Sequence, residues 1–217
     1  LAIDTNPALV RELAAIRDGD QEVEVDVASD LSSKPDSADV SLSDYEGVDQ
    51  PGVRTGLAGF KQHSDISLVC VPDENKITGL TDAIVAHCEN MGDRFAVLQA
   101  PQVAGKVEEM ETPVDSSYAG YYYPWITVSD PHTNRQKLVP PGGHIAGIIA
   151  RSDSTYGVHK SPANEPVRGT VELQHTITKE EQDILNPKGI NCIRSFQGRG
   201  IRLWGARTCS SDPSWKY

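Results

Sequence analysis

The sequence holds four cysteines in 217 residues, with no Cys-x-x-Cys pair and no cysteine at zinc-ligand spacing from a histidine, so neither a zinc site nor a thioredoxin-like motif is supported. Cys70, Cys88, Cys192 and Cys209 lie in or beside apolar stretches and read as reduced, buried thiols of a protein made in a cytosol. Long apolar runs are missing too. Nothing approaches the roughly 20 residues that cross a bilayer, and no charged-then-apolar stretch opens the chain, which excludes membrane insertion by a helix. Basic residues are in deficit, 20 against 31 acidic for a net charge of −11, which argues against a general phosphate-binding surface and direct nucleic-acid binding. At 23.5 kDa the chain fits one large domain or one and a half ordinary ones, and Leu1 in place of Met reads as a fragment or processed product.

Catalytic signatures are equally scarce. No Gly-x-Ser-x-Gly occurs, and the serines at 116–117, 152, 154 and 210–211 read as residues of plain polar turns. The six histidines form no i, i+4 pair and lack carboxylates at metal-ligand spacing, so no metal or other cofactor is expected. Gln197-Gly198-Arg199-Gly200 lacks the third glycine and the Lys-Ser/Thr of phosphate loops, and it joins two predicted strands, so it reads as a hairpin with an exposed arginine. The cluster Tyr121-Tyr122-Tyr123-Pro124-Trp125 offers stacking surface, but consecutive strand residues point to opposite faces, so packing against two layers explains it better than a ligand groove.

Charge is segregated along the chain. Residues 1–50 carry 3 basic and 13 acidic side chains, whereas residues 186–217 carry 6 and 1. Such a chain has the means to attract copies of itself head to tail, although a solvated acidic tail with a few buried arginines also accounts for the pattern.

Periodicity gives the architecture. Asn6-Pro7 opens a helix carrying Leu9, Leu13 and Ile16 to Gly19; Val23, Val25 and Val27 alternate with acids as a strand; residues 28–50 read as a polar loop. Residues 66–71 form a buried strand, Leu80, Ile84, Cys88 and Met91 share a helical face that stops at Gly92, and Phe95 to Leu98 is a second strand, completing a βαβ unit. A single strand is expected from Tyr121 to Val128, then a turn at 130–134 before Leu138-Val139. A helix after Gly142-Gly143 turns Ile145, Ile148 and Ile149 inward and gives way to a loop over 152–166. Val167 to Leu173 is a strand, Thr178 and Glu181 make a capping box, and Ile190 to Phe196 with Ile201 to Thr208 form a closing hairpin. The expected fold class is α/β, a mainly parallel sheet flanked by helices with a C-terminal β-hairpin.

Several segments taken together resemble the contractile tail sheath proteins of bacteriophages and related contractile injection systems. They are Tyr122-Tyr123-Pro124-Trp125, Ser129-Asp130-Pro131, residues 139–147 (Val-Pro-Pro-Gly-Gly-His-Ile-Ala-Gly), residues 157–165 (Gly-Val-His-Lys-Ser-Pro-Ala-Asn-Glu), Asn186-Pro187-Lys188-Gly189-Ile190-Asn191, and residues 198–208 followed by Ser210-Ser211-Asp212-Pro213. The resemblance covers residues 118–217 in order; 51–117 are compatible and 1–50 carry little of it.

The resemblance implies a structural subunit, not an enzyme, that polymerises as stacked hexameric rings around a tail tube and contracts to drive the tube through a cell envelope. It implies a subtilisin-like core without a protease site, and copies of the chain, the tail tube protein, baseplate and tail terminator proteins as partners. The location implied is the virion tail, assembled in the host cytoplasm. It divides the chain into an acidic segment and polar linker (1–50), a sheath core (51–189) and a C-terminal hairpin (190–217) that would lead into a further domain, with the chain a truncated core. Complementary charge suits contacts that exchange without unfolding, so Arg199 and Arg202 are the candidate inter-subunit contacts, with Arg194 and Arg207 equally suited to internal pairing, and residues 1–50 the acidic side. An α/β hydrolase with an unrecognised site, or a binding module using the surface 116–123, are the alternatives.

Overall fold

A computed structural model describes residues 40–216, and the helix and strand expected within residues 1–27 lie outside the described residues. The described unit opens with α1 (Leu42–Glu46), a hairpin of β1 (Asp49–Gln50) and β2 (Val53–Arg54), and the single turn α2 (Gly56–Gly59). A polar loop was expected here up to residue 50. The difference arises because Ser41 and Asp44 cap α1, the Ser41 N–H donating to Asp44 Oδ2 at 2.8 Å, while Leu42 and Tyr45 reach the core.

The central sheet contains β3 (Leu68–Val69), β4 (Phe95–Gln99), β5 (Ala119–Tyr123), β9 (Ile190–Phe196) and β10 (Gly200–Trp204), in the order β10-β9-β5-β4-β3. The β3/β4, β4/β5 and β5/β9 pairs are parallel, and β9/β10 is antiparallel. Helix α3 (Leu80–Met91) links β3 to β4 as the periodicity predicts, ending where Gly92, at φ 69°, sends its N–H back to Cys88 O.

Alternation along each strand separates two cores. Ala96, Leu98, Tyr121, Tyr123, Ile190 and Cys192 face α3 and Leu185, whereas Val97, Tyr122 and Ile193 face Ile145 and Ile148 of α4 (Gly142–Tyr156). The three tyrosines are therefore divided between layers, as strand geometry requires. Burying both faces of the central strands makes them near-continuous apolar runs.

A second, antiparallel sheet was not foreseen. Residues 121–128 do not make one strand: β5 ends at Tyr123, and β6 (Ile126–Ser129) begins a separate sheet, paired with β7 (Gln136–Val139) and β8 (Thr170–Leu173). The break falls at Pro124, which has no N–H for a ladder, and Trp125 turns its indole N–H to Ala100 O at 2.7 Å. Helix α4 also runs five residues further than expected, because Ser152 is a buried member of its inner face; Gly157 at φ 98° is the stop. Helix α5 (Lys179–Leu185) carries the expected capping box, Thr178 N–H donating to Glu181 Oε2 and Glu181 N–H to Thr178 Oγ1. All four cysteines are free, three buried and Cys70 partly so; burial pushes their thiols up, Cys70 to about 11 and Cys192 to about 12.

The seat of α4 depends on Gln99, whose side chain accepts from the Gly142 N–H at 2.9 Å and donates to Val71 O at 3.0 Å. A Cβ on residue 142 would stand 2.5 Å from Cys70 Sγ and 2.6 Å from Gln99 Oε1. Gly142→Ala is therefore expected to destabilise by about 1–3 kcal/mol through overpacking alone, read as a lower denaturation midpoint in urea with an unchanged slope.

Candidate inter-subunit interface

The basic end of the sequence folds into the free margin of the central sheet. Strands β9 and β10 are joined through Gly198 and Gly200, both at φ 72°, a region that L side chains rarely occupy, and the turn closes with Arg199 N–H donating to Phe196 O at 3.1 Å. Leu203 alternates into the core, so Arg202 and Trp204 lie on the opposite face of β10. The register sets Arg202 directly across from Arg194, a like-charge pairing that costs free energy unless something compensates it.

The outer edge of β10 is closed by the chain's own segment 164–167. Asn164 N–H donates to Leu203 O at 2.7 Å, Leu203 N–H to Glu165 O at 2.9 Å and Val167 N–H to Ile201 O at 3.0 Å. Pro166, in a bridge with Arg202, presents no N–H of its own.

The arginines divide by role. Arg194 turns inward, donating to Ile177 O at 3.1 Å and Gln182 Oε1 at 2.6 Å, so it belongs to the chain's interior bonding. Arg207 is likewise engaged: its backbone N–H and C=O are both bonded by the Asn191 amide. Arg199 donates to Asn164 Oδ1 at 2.8 Å and lies 5.5 Å and 5.7 Å from the ring centroids of Phe196 and Trp204. Arg202 donates to Arg199 O at 3.1 Å and Asn164 O at 2.7 Å. Arg199 and Arg202, singled out from charge alone, are thus brought together at the sheet margin. Asn164 and the Phe196/Trp204 pair, 4.7 Å between centroids, were not identified from sequence, because their proximity depends on a bridge between segments some 35 residues apart. The nearby Glu165 is already held by Lys160 at 2.7 Å and, more loosely, by Arg151 at 3.8 Å, and Lys160 first, then Arg151 and Arg202, hold its carboxyl below the usual range.

A cavity of about 610 Å³ at the opposite ends of the strands collects Ser67, Ser161, His159 and Asp153. Among the described residues no hydrogen bond joins His159 to these serines or to Asp153. Of the serines expected in polar turns, Ser152 and Ser154 lie within α4 and Ser116 is buried, donating to Glu89 Oε1, whereas Ser117 sits in a turn and Ser211 in a bend where it is bonded to Asp115. Among the described residues no group of three or more His, Cys, Asp or Glu side chains is placed to hold a metal ion.

These features define a layered α/β domain with a basic sheet margin. Residues 46–209 match the phage tail sheath protein central domain, and the chain belongs to the phage tail sheath protein family. The tail sheath protein of Burkholderia phage BcepMu is 32% identical over 196 residues, 81% of this chain and 41% of that protein. A putative prophage major tail sheath protein of Pseudomonas aeruginosa is 26% identical over 183 residues, 79% of this chain and 47% of that protein. Among solved structures, the contracted helical sheath of the anti-feeding prophage superposes with a TM-score of 0.61 at 32% identity, over 73% of this chain and 43% of that one. The chain thus spans less than half the length of the curated relatives it matches.

Proposed function

We propose that this chain is the central part of a sheath subunit that stacks as hexameric rings around a tail tube and contracts to drive the tube through a target envelope. The observation that carries the reading is the sheath-family match across residues 46–209, nearly the whole described fold. The proposed core is subtilisin-like without a protease site, and the subunit is structural, with no catalytic step of its own. It divides into an acidic segment and linker (1–50), a core (51–189) and a C-terminal hairpin (190–217). Its partners are copies of itself, the tube protein, and baseplate and tail terminator proteins, in a virion tail assembled in the host cytoplasm. Solved relatives described as a contracted helical sheath and as a baseplate support the self-association and baseplate contact.

A contractile polymer requires rigid bodies joined by contacts that can be exchanged, so that two arrangements differ by a modest free energy per subunit. The two packed cores supply the rigid body. Arg199 and Arg202 supply the basic side of an exchangeable contact, and the acidic side lies on a neighbouring copy.

The test is negative-stain microscopy of the full-length gene product beside this chain at equal concentration. Rings or tubes from the full-length protein are expected. A full-length protein that stays monomeric across salt and pH overturns the assignment. Within the same experiment, R199E together with R202E is expected to abolish tubes while leaving the circular dichroism spectrum intact; undiminished tubes would remove these arginines from the contact.

A further inference from the structure

We infer that Asn164 shapes Arg199 and Arg202 into a pre-formed carboxylate clamp, and that its occupant is an acidic segment of a second copy of this chain. The inference rests on the sheath reading only for the presence of that second copy.

Three observations carry it. The first is unbalanced charge. Arg194 and Arg202 oppose each other across β9 and β10, Arg199 stands in the adjoining turn, and neither Arg199 nor Arg202 forms an ion pair with a carboxylate among the described residues. Like charges directly opposite on a sheet are unfavourable, and Glu165, bonded to Lys160 and closer to Arg151, meets Arg202 only through a weaker charge interaction. Within the described residues these guanidinium groups are therefore under-compensated, and an incoming carboxylate would relieve that.

The second is fixed geometry. A guanidinium has five N–H donors, of which Arg199 uses one within the chain and Arg202 two, so both retain donors for a partner. Arg199 is immobilised between the Asn164 amide and the faces of Phe196 and Trp204, and Arg202 is held by two carbonyls. Side chains already ordered lose little entropy when a ligand arrives, and a planar fork of this kind suits two carboxylate oxygens better than a spherical anion.

The third is Asn164 itself. It adopts φ 62°, which asparagine tolerates better than most residues, and from that conformation it offers its side-chain oxygen to Arg199, its main-chain oxygen to Arg202 and its N–H to Leu203. One residue thereby sets both guanidinium groups and anchors them to the sheet. Arg and aromatic side chains grouped in this way are the residue types that dominate binding energy at protein interfaces. The occupant follows from composition: residues 1–50 carry 13 acidic side chains against 3 basic ones.

The experiment follows the arginine Nε–H resonances of the 217-residue chain by NMR. The chain is titrated with a synthetic peptide of residues 18–30, which carries six side-chain carboxylates, and with a counterpart in which these are Asn and Gln. The acidic peptide is expected to shift the Arg199 and Arg202 signals saturably, and the amide peptide to leave them in place. N164G keeps the backbone conformation but removes the side-chain oxygen, and is expected to weaken binding about 5-fold. R199K keeps the charge without the fork and should weaken it about 10-fold. N164D fills the clamp from within and should abolish binding while the Ile201 and Leu203 amide signals stay in place. Equal titration by the two peptides, or unchanged affinity in N164G and R199K, overturns the clamp. Failure of the sheath assignment has a different signature: the clamp titrates, yet the full-length protein forms no rings or tubes.

Discussion

Replacing Glu74 by glutamine is expected to raise the melting temperature at pH 8.5 by about 10 °C and to leave it nearly unchanged at pH 5. Glu74 is 2% exposed, follows the end of β3, and accepts a short hydrogen bond from the Gln99 backbone N–H through Oε1, while Oε2 has no partner. Among the described residues no cation compensates it. Burial pushes its carboxyl from 4.5 up to about 8, the single hydrogen bond from Gln99 opposing only part of that shift. The folded chain therefore holds a proton that the unfolded chain releases above its ordinary pKa. With the folded value raised, the stabilisation is fully present below about pH 4.5 and is lost as pH rises towards 8, a change of about 5 kcal/mol at about 1.4 kcal/mol per pH unit. Glutamine keeps the acceptor for Gln99 and cannot ionise, so the difference between the two melting curves isolates this one group. Parallel curves for E74Q and the parent between pH 5 and 8.5 would refute the assignment.

The loss of Arg94 should be the most damaging single change on the opposite side of the same core. Its side chain is fully buried and its donors are all directed: Nε to Asp93 Oδ1 at 2.7 Å, Nη1 to Phe60 O at 3.1 Å and Nη2 to His63 O at 2.9 Å, so it fastens the 60–63 segment to the start of β4. Nη1 also lies 3.2 Å from His87 Nε2. A guanidinium can only donate, so that histidine nitrogen is the acceptor and the ring is neutral, carrying its proton on Nδ1. Arg94→Leu strands two carbonyls and the imidazole without a donor and is expected to cost about 3–5 kcal/mol.

The acid limb of stability is shared by His144, which burial also lowers, and by His87. Burial, then the charges of Arg94 and Lys61, hold its pKa below the ordinary 6.5, with Asp93 acting the other way. A depressed histidine value means that its contribution is complete above about pH 6.5 and is lost as pH falls towards the folded value, because unfolding then takes up a proton. His87→Gln retains an acceptor for Arg94 and should flatten that limb. An R94L variant within 1 kcal/mol of the parent, or an H87Q variant with the same acid midpoint as the parent, would be the contrary result.

Local signals were the legible ones. The βαβ unit over residues 66–98 could be read because two buried strands and the 3.6-residue face of α3 are each written in consecutive residues, and the Thr178 and Glu181 box because its two hydrogen bonds span only three positions. The interruption at Pro124 was passed over in reading residues 121–128 as one strand, and the assignment of Ile126–Ser129 to a separate sheet required its partners, Val139 and Leu173, to be known. Arg199 and Arg202 stood out as unbalanced charge. What holds them did not, since Asn164 is 35 and 38 positions away and acts through a backbone conformation that composition does not report.

The sequence by itself determined the class of fold, the separation of charge and the family resemblance, because alternation, helical spacing and motif order are properties of neighbouring residues. Only the tertiary structure decided that Glu74 is buried with a single hydrogen bond, that His87 must be neutral beside Arg94, and that two arginines share one asparagine. Each of these depends on which distant groups enter the same low-dielectric or crowded space, and a hydrogen-bond donor or a charge has no fixed energy until its neighbours across the fold are in place.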